Sequence, residues 1–157
     1  MRLAAFFLLL SAWAVPALAA EPLSKGQTVY VPVYSHVQHG NLDSKGRPEV
    51  LLLSSMLSIR NVDPDHGITV RSVRYYDTAG KLLREYLQTP LVLAPLGSSD
   101  VFVEHKDSLG GMGANFLVDW TADAPVSAPL LETVNGYFFG AQSGVFTSRG
   151  VSVREKN

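Results

Sequence analysis

Apolar and polar residues alternate along most of this chain with a period of two, which is typical of half-buried β-strands. The clearest example is the segment 50–61, in which one parity is apolar and the other contains serines and an arginine. The apolar members are Leu51, Leu53, Leu57 and Ile59. Turn-forming residues at 61–65 end the segment. The pattern predicts one strand followed by a turn.

The next segment, 68–77, changes parity between Val70 and Val73. A single strand with a β-bulge near Arg71 and Ser72 reconciles the two halves, because a bulge inserts one extra residue and reverses the faces that follow it.

A tight turn is predicted at 78–81, where Gly80 is able to take the positive φ that such turns often require. The segment 82–87 then forms the return strand of a hairpin. The earliest strand is predicted at 27–35, and Pro32 places it at a sheet edge or a bulge because proline has no N–H to donate. Further strands are predicted at 91–93, 99–105, 114–121, 130–138 and 144–148.

About seven to nine short strands separated by turns, with no convincing helix, predict an all-β fold. The predicted architecture is an antiparallel two-sheet immunoglobulin-like β-sandwich, and a small barrel is the alternative. Residues 20–157 contain no repeat or linker and are close to the common size of one domain. A single β-sandwich domain is therefore predicted for this range.

Residues 1–19 have the composition of a secretory signal peptide: a positive charge at Arg2, an apolar run, and small residues before the end. Cleavage is expected after Ala19, and retention as an anchor is the alternative. The protein is therefore predicted to be periplasmic or secreted.

Charge and cysteine content narrow the classes of partner. The chain carries 13 basic and 14 acidic residues, and both signs are scattered along it, so no surface for nucleic acid is predicted. No membrane insertion of the mature chain is predicted. The chain has no cysteine, which excludes disulfides and a lipid attached through cysteine.

Two histidines, His36 and His39, stand three residues apart in a chain with four histidines. In an extended strand such residues point to opposite faces, and a zinc site takes three or four protein ligands. No cofactor or metal site is therefore predicted. The alternative hypothesis is a periplasmic copper or zinc carrier that uses both histidines together with His105 or Met112, because imidazole and thioether suit copper.

The segment 61–72 begins like a calcium loop, with Asn61, Asp63 and Asp65 at the first, third and fifth positions. His66 then stands where that loop needs glycine. The segment is predicted to be a turn whose side chains bond to their own backbone.

The glycine-rich segment 110–115 lacks the Lys-Ser or Lys-Thr pair of a phosphate-binding loop. Its glycines are predicted to allow strands to approach closely. The chain also has no G-x-S-x-G motif. No catalytic residue is predicted, and a small hydrolase is the least favoured alternative.

One parity of the segment 29–36 is aromatic or polar, and the other begins with three valines that are predicted to face the core. The first parity forms a stripe on an edge strand, which is suited to stacking on a sugar ring or to pairing with a partner strand. An asparagine and an arginine in a pocket fix a sugar hydroxyl or a carboxylate. The candidate ligand-binding residues are Tyr30, Tyr34, His36, Asp107, Asn115 and Arg149.

Five motifs occur in order along the chain: GQTVYVPVYSHV, LSIRN.DP, VRYYDTAGKLLREYL, GGMGANFLVDW and FTSRG. Together they resemble the bacterial exported "domain of unknown function 3124" family from about Lys25 to Val151. The resemblance implies an exported, single-domain protein of sandwich type and carries no established activity. The LSIRN and RYYDTAGKLL segments also resemble immunoglobulin-like bacterial modules, which is a likeness of fold alone.

The function predicted from the sequence is a non-enzymatic binding or interaction module of the cell envelope. Its partner is predicted to be an unknown protein or a small-molecule ligand.

Overall fold

The computed structural model describes residues 22–156, and the predicted signal peptide lies outside them. The regular secondary structure of residues 22–156 consists of β-strands, without a helix. The first six are β1 (Ser24–Pro32), β2 (His36–His39), β3 (Glu49–Leu52), β4 (Ser54–Arg60), β5 (Ile68–Tyr76) and β6 (Leu82–Glu85). The other six are β7 (Leu91–Leu93), β8 (Ser98–Val103), β9 (Asn115–Val126), β10 (Leu130–Phe139), β11 (Gln142–Arg149) and β12 (Val151–Glu155). No helix among the described residues has the length and hydropathy needed to cross a membrane.

The strands form two main sheets and one separate hairpin. The six-stranded sheet has the order β12-β1-β9-β5-β6, with β7 also paired to β5, and the four-stranded sheet has the order β11-β10-β4-β8. Strands β2 and β3 pair only with each other. Every pairing is antiparallel. The prediction of an all-β, antiparallel two-sheet sandwich is confirmed.

The described range contains twelve strands, against about seven to nine predicted from the sequence. The segment predicted as one strand is divided at Leu53, whose N–H donates to the carbonyl of Ser35. Strand β3 therefore pairs with β2, while β4 lies in the four-stranded sheet. Both strands of the β2–β3 hairpin and the C-terminal β12 add to the predicted number.

Side chains from both sheets share one core. Phe116, Val118 and Trp120 of β9 are completely buried, as the two-residue repeat predicts. They form one cluster with apolar side chains of the four-stranded sheet, including Leu57 and Leu131. This burial holds the sheets face to face and leaves each sheet with an outer surface.

The bulge and the hairpin predicted from the sequence are both confirmed. The register of β5 against β9 shifts between Val70 and Ser72, where the parity of the sequence changes. Gly80 has a φ of 79° in the turn that joins β5 to β6. The bulge keeps both halves of β5 packed on the core although their parities differ.

The turn after β4 is organised by its own polar side chains, as predicted. The Asn61 side chain accepts a hydrogen bond from the N–H of Asp63 (3.1 Å), and the Asp63 carboxylate accepts from Asp65 (3.0 Å) and His66 (2.9 Å). The carboxylate also accepts from the N–H of Ser127 (3.0 Å). Hydrogen bonds from Asp65 and Ser127 hold the pKa of Asp63 at about 2, which keeps the carboxylate ionised across this loop junction.

Candidate ligand-binding face

The outer surface of the six-stranded sheet brings together side chains from β1, β9 and β5 in three rows. Each row contains one residue from each strand, paired across the sheet. The rows are Thr28–Asp119–Ser72, Tyr30–Leu117–Arg74 and Pro32–Asn115–Tyr76. We call these nine residues, with the neighbouring Val153, Arg154 and Lys156, the outer polar face.

Asp119 lies at the centre of the first row, and its side chain is only 17% exposed. The hydroxyls of Thr28 (2.5 Å) and Ser72 (3.1 Å) donate to its carboxylate. Arg74 Nη2 (2.6 Å) and Lys156 Nζ (2.9 Å) form ion pairs with it. This network fixes two cationic side chains on the sheet surface.

Burial raises the pKa of Asp119, but the hydrogen bonds from Thr28, Lys156 and Ser72 outweigh burial, so the net pKa is below its ordinary value. Asp119 is therefore a carboxylate at neutral pH. Because its oxygens already accept four hydrogen bonds or ion pairs from the chain, it acts as an organising centre for the face.

A basin of about 620 Å³ lies over this cluster. It is lined by Thr28, Arg74, Leu117, Asp119, Val153, Arg154 and Lys156. Arg154 stands opposite Thr28 in the β1–β12 ladder and is exposed. A volume of this size is in the usual range for sites that bind small molecules.

Two residues predicted as ligand-binding, Tyr30 and Asn115, lie on the outer polar face beside the basin. Both are partly exposed. Their side chains make no hydrogen bond or ring contact to another part of the described chain. Tyr76 shares these properties and pairs with Asn115, although it is not among the residues predicted to bind a ligand. Its position after the buried Tyr75 could have identified it, since neighbouring residues in a strand face opposite sides.

Tyr34 does not belong to an exposed stripe, because β1 ends at Pro32 and the chain then turns toward the other sheet. The Tyr34 ring packs edge-on against Phe146, with ring centres 5.4 Å apart. The backbone N–H of Tyr34 donates to Asn135 Oδ1 (3.1 Å), and the backbone carbonyl of Tyr34 accepts from Ser55 Oγ (2.9 Å). Tyr34 is therefore held against the four-stranded sheet.

The edge-strand prediction also needs correction at Tyr30, because β12 pairs with β1 at this residue. The register with β12 ends there, whereas β1 continues to pair with β9 as far as Pro32. Only this last part of β1 lies at an edge, which agrees with the missing N–H of Pro32.

The two neighbouring histidines lie at opposite ends of the short strand β2. His36 Nδ1 is 3.2 Å from the hydroxyl of Ser35, and His39 Nε2 is 4.0 Å from a carboxylate oxygen of Glu49. Within residues 22–156, no three histidine, aspartate or glutamate side chains are grouped closely enough to hold a metal ion. The metal-carrier hypothesis gains no geometric support.

The glycine-rich loop packs closely against the end of β5. A Cβ atom added at Gly110 would overlap the hydroxyl of Tyr75. The N–H of Gly111 donates to the buried Ser35 hydroxyl (2.9 Å). These contacts anchor the loop to the strands beneath it.

Asp107 begins this loop, and its carboxylate accepts a hydrogen bond from the N–H of Leu109 (3.3 Å). It lines a different cleft, of about 640 Å³, together with Arg84 and Phe102. Arg149 lies in a third cleft, of about 320 Å³, with Val29. The six predicted residues are therefore dispersed, and only Tyr30 and Asn115 share one surface.

Comparisons with known proteins place the chain in a family but assign no activity. The profile of the family described as "Protein of unknown function (DUF3124)" matches residues 26–153. A search of curated proteins gave no match. Among solved structures, the chain is similar to the structure titled "Crystal Structure of Thermotoga maritima 1070", with 11% identity, a TM-score of 0.45, and coverage of 83% of this chain and 97% of that one. A likeness of this size carries no argument about function.

Proposed function

We propose a glycan-binding function for this chain, which belongs to the DUF3124 family. The proposed protein is an exported, non-enzymatic binding module of the cell envelope, in the periplasm or outside the cell. It holds its ligand on the outer polar face. The leader-like composition of residues 1–19 supports export.

The observation that carries the proposal is the group formed by Tyr30, Asn115 and Tyr76. These three side chains lie in adjacent rows of one sheet and have no partner side chain among the described residues. Tyrosine offers an apolar ring with a polar hydroxyl, and asparagine offers both a donor and an acceptor. Rings and amides on a rigid surface suit a sugar, which has an apolar ring face and hydroxyls at its edge.

The backbone beneath these side chains is firmly held. Strand β9 lies in the middle of the sheet and pairs with β1 on one side and β5 on the other. Every inward side chain in the stretch 116–120 of β9 is completely buried. A rigid support of this kind reduces the entropy lost when a ligand binds.

The proposal is tested by nuclear magnetic resonance titration of protein purified after expression of the full-length chain. The probes are chitotetraose, maltotetraose and a short oligogalacturonate. At least one glycan is expected to shift the backbone amide signals of β1, β9 and β5. Tyr30→Ala and Asn115→Ala are each expected to weaken binding by about fivefold or more, which corresponds to ~1 kcal/mol.

Phe138→Ala and Gln142→Ala are the matched controls, because both residues are exposed on the other sheet. These variants are expected to bind like the wild type. Signal changes confined to other surfaces, or no change with any of the three glycans, would contradict the proposal.

A further inference from the structure

The charges that line the basin do not balance. Arg74, Arg154 and Lys156 contribute three positive charges, and Asp119 is the only acidic residue in the lining. Arg74 and Lys156 both form ion pairs with the single carboxylate. Two positive charges therefore remain uncompensated in one concave surface, which attracts anions.

Arg154 has no partner of its own among the described residues. The carboxylate of its neighbour Glu155 instead accepts hydrogen bonds from Ser24 Oγ (2.8 Å) and Gln27 Nε2 (2.6 Å). The N–H donors of the Arg154 guanidinium therefore bind no other described residue. The group lies beside Arg74 and Lys156, which Asp119 holds in position. Guanidinium groups bind carboxylate and phosphate with two parallel hydrogen bonds.

The position of the basin connects it with Tyr30. Leu117 lines the basin and is the direct cross-strand partner of Tyr30. Arg74 occupies the same row on the other side of Leu117. A ligand that stacks on the Tyr30 ring is therefore one strand away from the charged lining.

We infer that the ligand of the outer polar face is an acidic glycan, and that the basin binds its carboxylate or phosphate group through Arg154, Lys156 and Arg74. This inference rests on the proposed glycan-binding function and adds the charge of the ligand. The tyrosines and Asn115 contact the sugar ring, and the basin selects sugars that carry an anionic group.

The test measures binding of matched acidic and neutral sugars by calorimetry at low salt, again with protein from the full-length chain. The carboxylate pair is digalacturonate and the neutral galactobiose of the same linkage. The phosphate pair is galactose 1-phosphate and galactose. At least one acidic sugar is expected to bind about tenfold more tightly than its neutral counterpart, and the difference is expected to shrink as salt is added.

Arg154→Gln is expected to remove most of this preference, since the variant keeps a polar side chain but loses the charge. Arg60→Gln is the matched control, because Arg60 is an exposed arginine on the other sheet and its loss changes the net charge equally. Thermal unfolding of both variants verifies that they fold.

The possible results separate the two proposals. Equal binding of acidic and neutral sugars, or equal effects of Arg154→Gln and Arg60→Gln, would overturn the anionic-ligand inference while leaving glycan binding in place. Inorganic phosphate is the third probe. If it binds in an Arg154-dependent manner while no sugar binds, the anion site stands and the glycan-binding function fails.

Discussion

The two sheets of this protein carry different clusters of side chains on their outer surfaces. On the six-stranded sheet, the outward side chains around Asp119 are charged or hydroxylated and are joined by short hydrogen bonds. At one end of the four-stranded sheet, the outward side chains are mostly apolar and surround a shallow notch of about 170 Å³. We call the second surface the outer apolar face; its apolar members include Met56, Phe102, Val134, Phe138 and Val145.

The outer apolar face is built by the same two-residue repeat as the outer polar face. Met56 pairs with Val134 on one side and with Phe102 on the other, so their side chains form one apolar row. Gly136 leaves the notch beside this row, because it has no side chain next to Val145. Phe102 is 56% and Phe138 is 74% exposed, and contiguous exposed apolar patches are typical of contact surfaces.

This difference shows that alternation alone does not assign a role to an outward residue. Outward polar residues here form a fixed electrostatic network, whereas outward apolar residues contribute little to the shared core. The following substitutions test that distinction, beginning with the largest expected effect.

Phe116 in the core and Phe102 in the outer apolar face allow the same chemical change at a buried and at an exposed position. Phe116→Ala is expected to lower the free energy of unfolding by about 3–5 kcal/mol, because it opens a cavity in the core. Phe102→Ala, in the outer apolar face, is expected to cost less than ~1 kcal/mol, because its ring is already largely hydrated. Urea denaturation measures both values. A comparable loss in the two variants would show that the apolar face is part of the fold's stability.

Two aspartates provide the corresponding test of the outer polar face. Asp119→Ala is expected to lower the free energy of unfolding by about 1–3 kcal/mol, because several donors lose a common, largely buried acceptor. Asp100→Ala is expected to change it by less than ~0.5 kcal/mol, since the exposed Asp100 makes no side-chain hydrogen bond to the described residues. If both substitutions are neutral in urea denaturation, the network around Asp119 does not stabilise the sheet.

The same carboxylate makes a smaller, pH-dependent contribution. The folded pKa of Asp119 is lower than its ordinary value of 3.8, so the unfolded chain takes up the proton first. The stabilisation is complete above the ordinary pKa and is lost as the pH falls through the folded value. Asp119→Asn is therefore expected to lose less stability than the wild type between about pH 5 and pH 3.

Denaturation curves at several pH values provide this comparison. The Asp63 carboxylate, with a pKa of about 2, contributes the same acid dependence to both proteins and cancels in the difference. Parallel pH profiles for Asp119→Asn and the wild type would contradict the network described for Asp119.

Much of the local structure was predictable because it depends on residues close together in sequence. The bulge after Val70 follows from a change of parity within one strand, and the turn at Gly80 follows from a residue that accepts positive φ. The buried side of β9 was predicted for the same reason. The bulge and the buried side of β9 need only a repeat of two residues and a core to face, and the turn needs only its glycine.

The predicted strand 27–35 was too long at its end, because β1 stops at Pro32, so Tyr34 and His36 do not continue its outward row. Ligand binding by these two residues stays a prediction. The chain leaves the six-stranded sheet after Pro32, because side chains of the four-stranded sheet bind its backbone. Thr133 Oγ1 donates to the carbonyl of Pro32 (2.6 Å), and Asn135 Oδ1 accepts from the N–H of Tyr34. These partners are about a hundred residues away in sequence, and no local pattern contains them.

The sequence by itself determined which side chains of each strand face inward, because the two faces of a strand alternate whatever lies beside it. Only the tertiary structure decided which strands are neighbours, since that depends on burial and hydrogen bonds between distant segments. It is this order of strands that brings Arg154, near the end of the chain, beside Thr28 and Asp119. The charge pattern of the outer polar face therefore exists only in the folded protein.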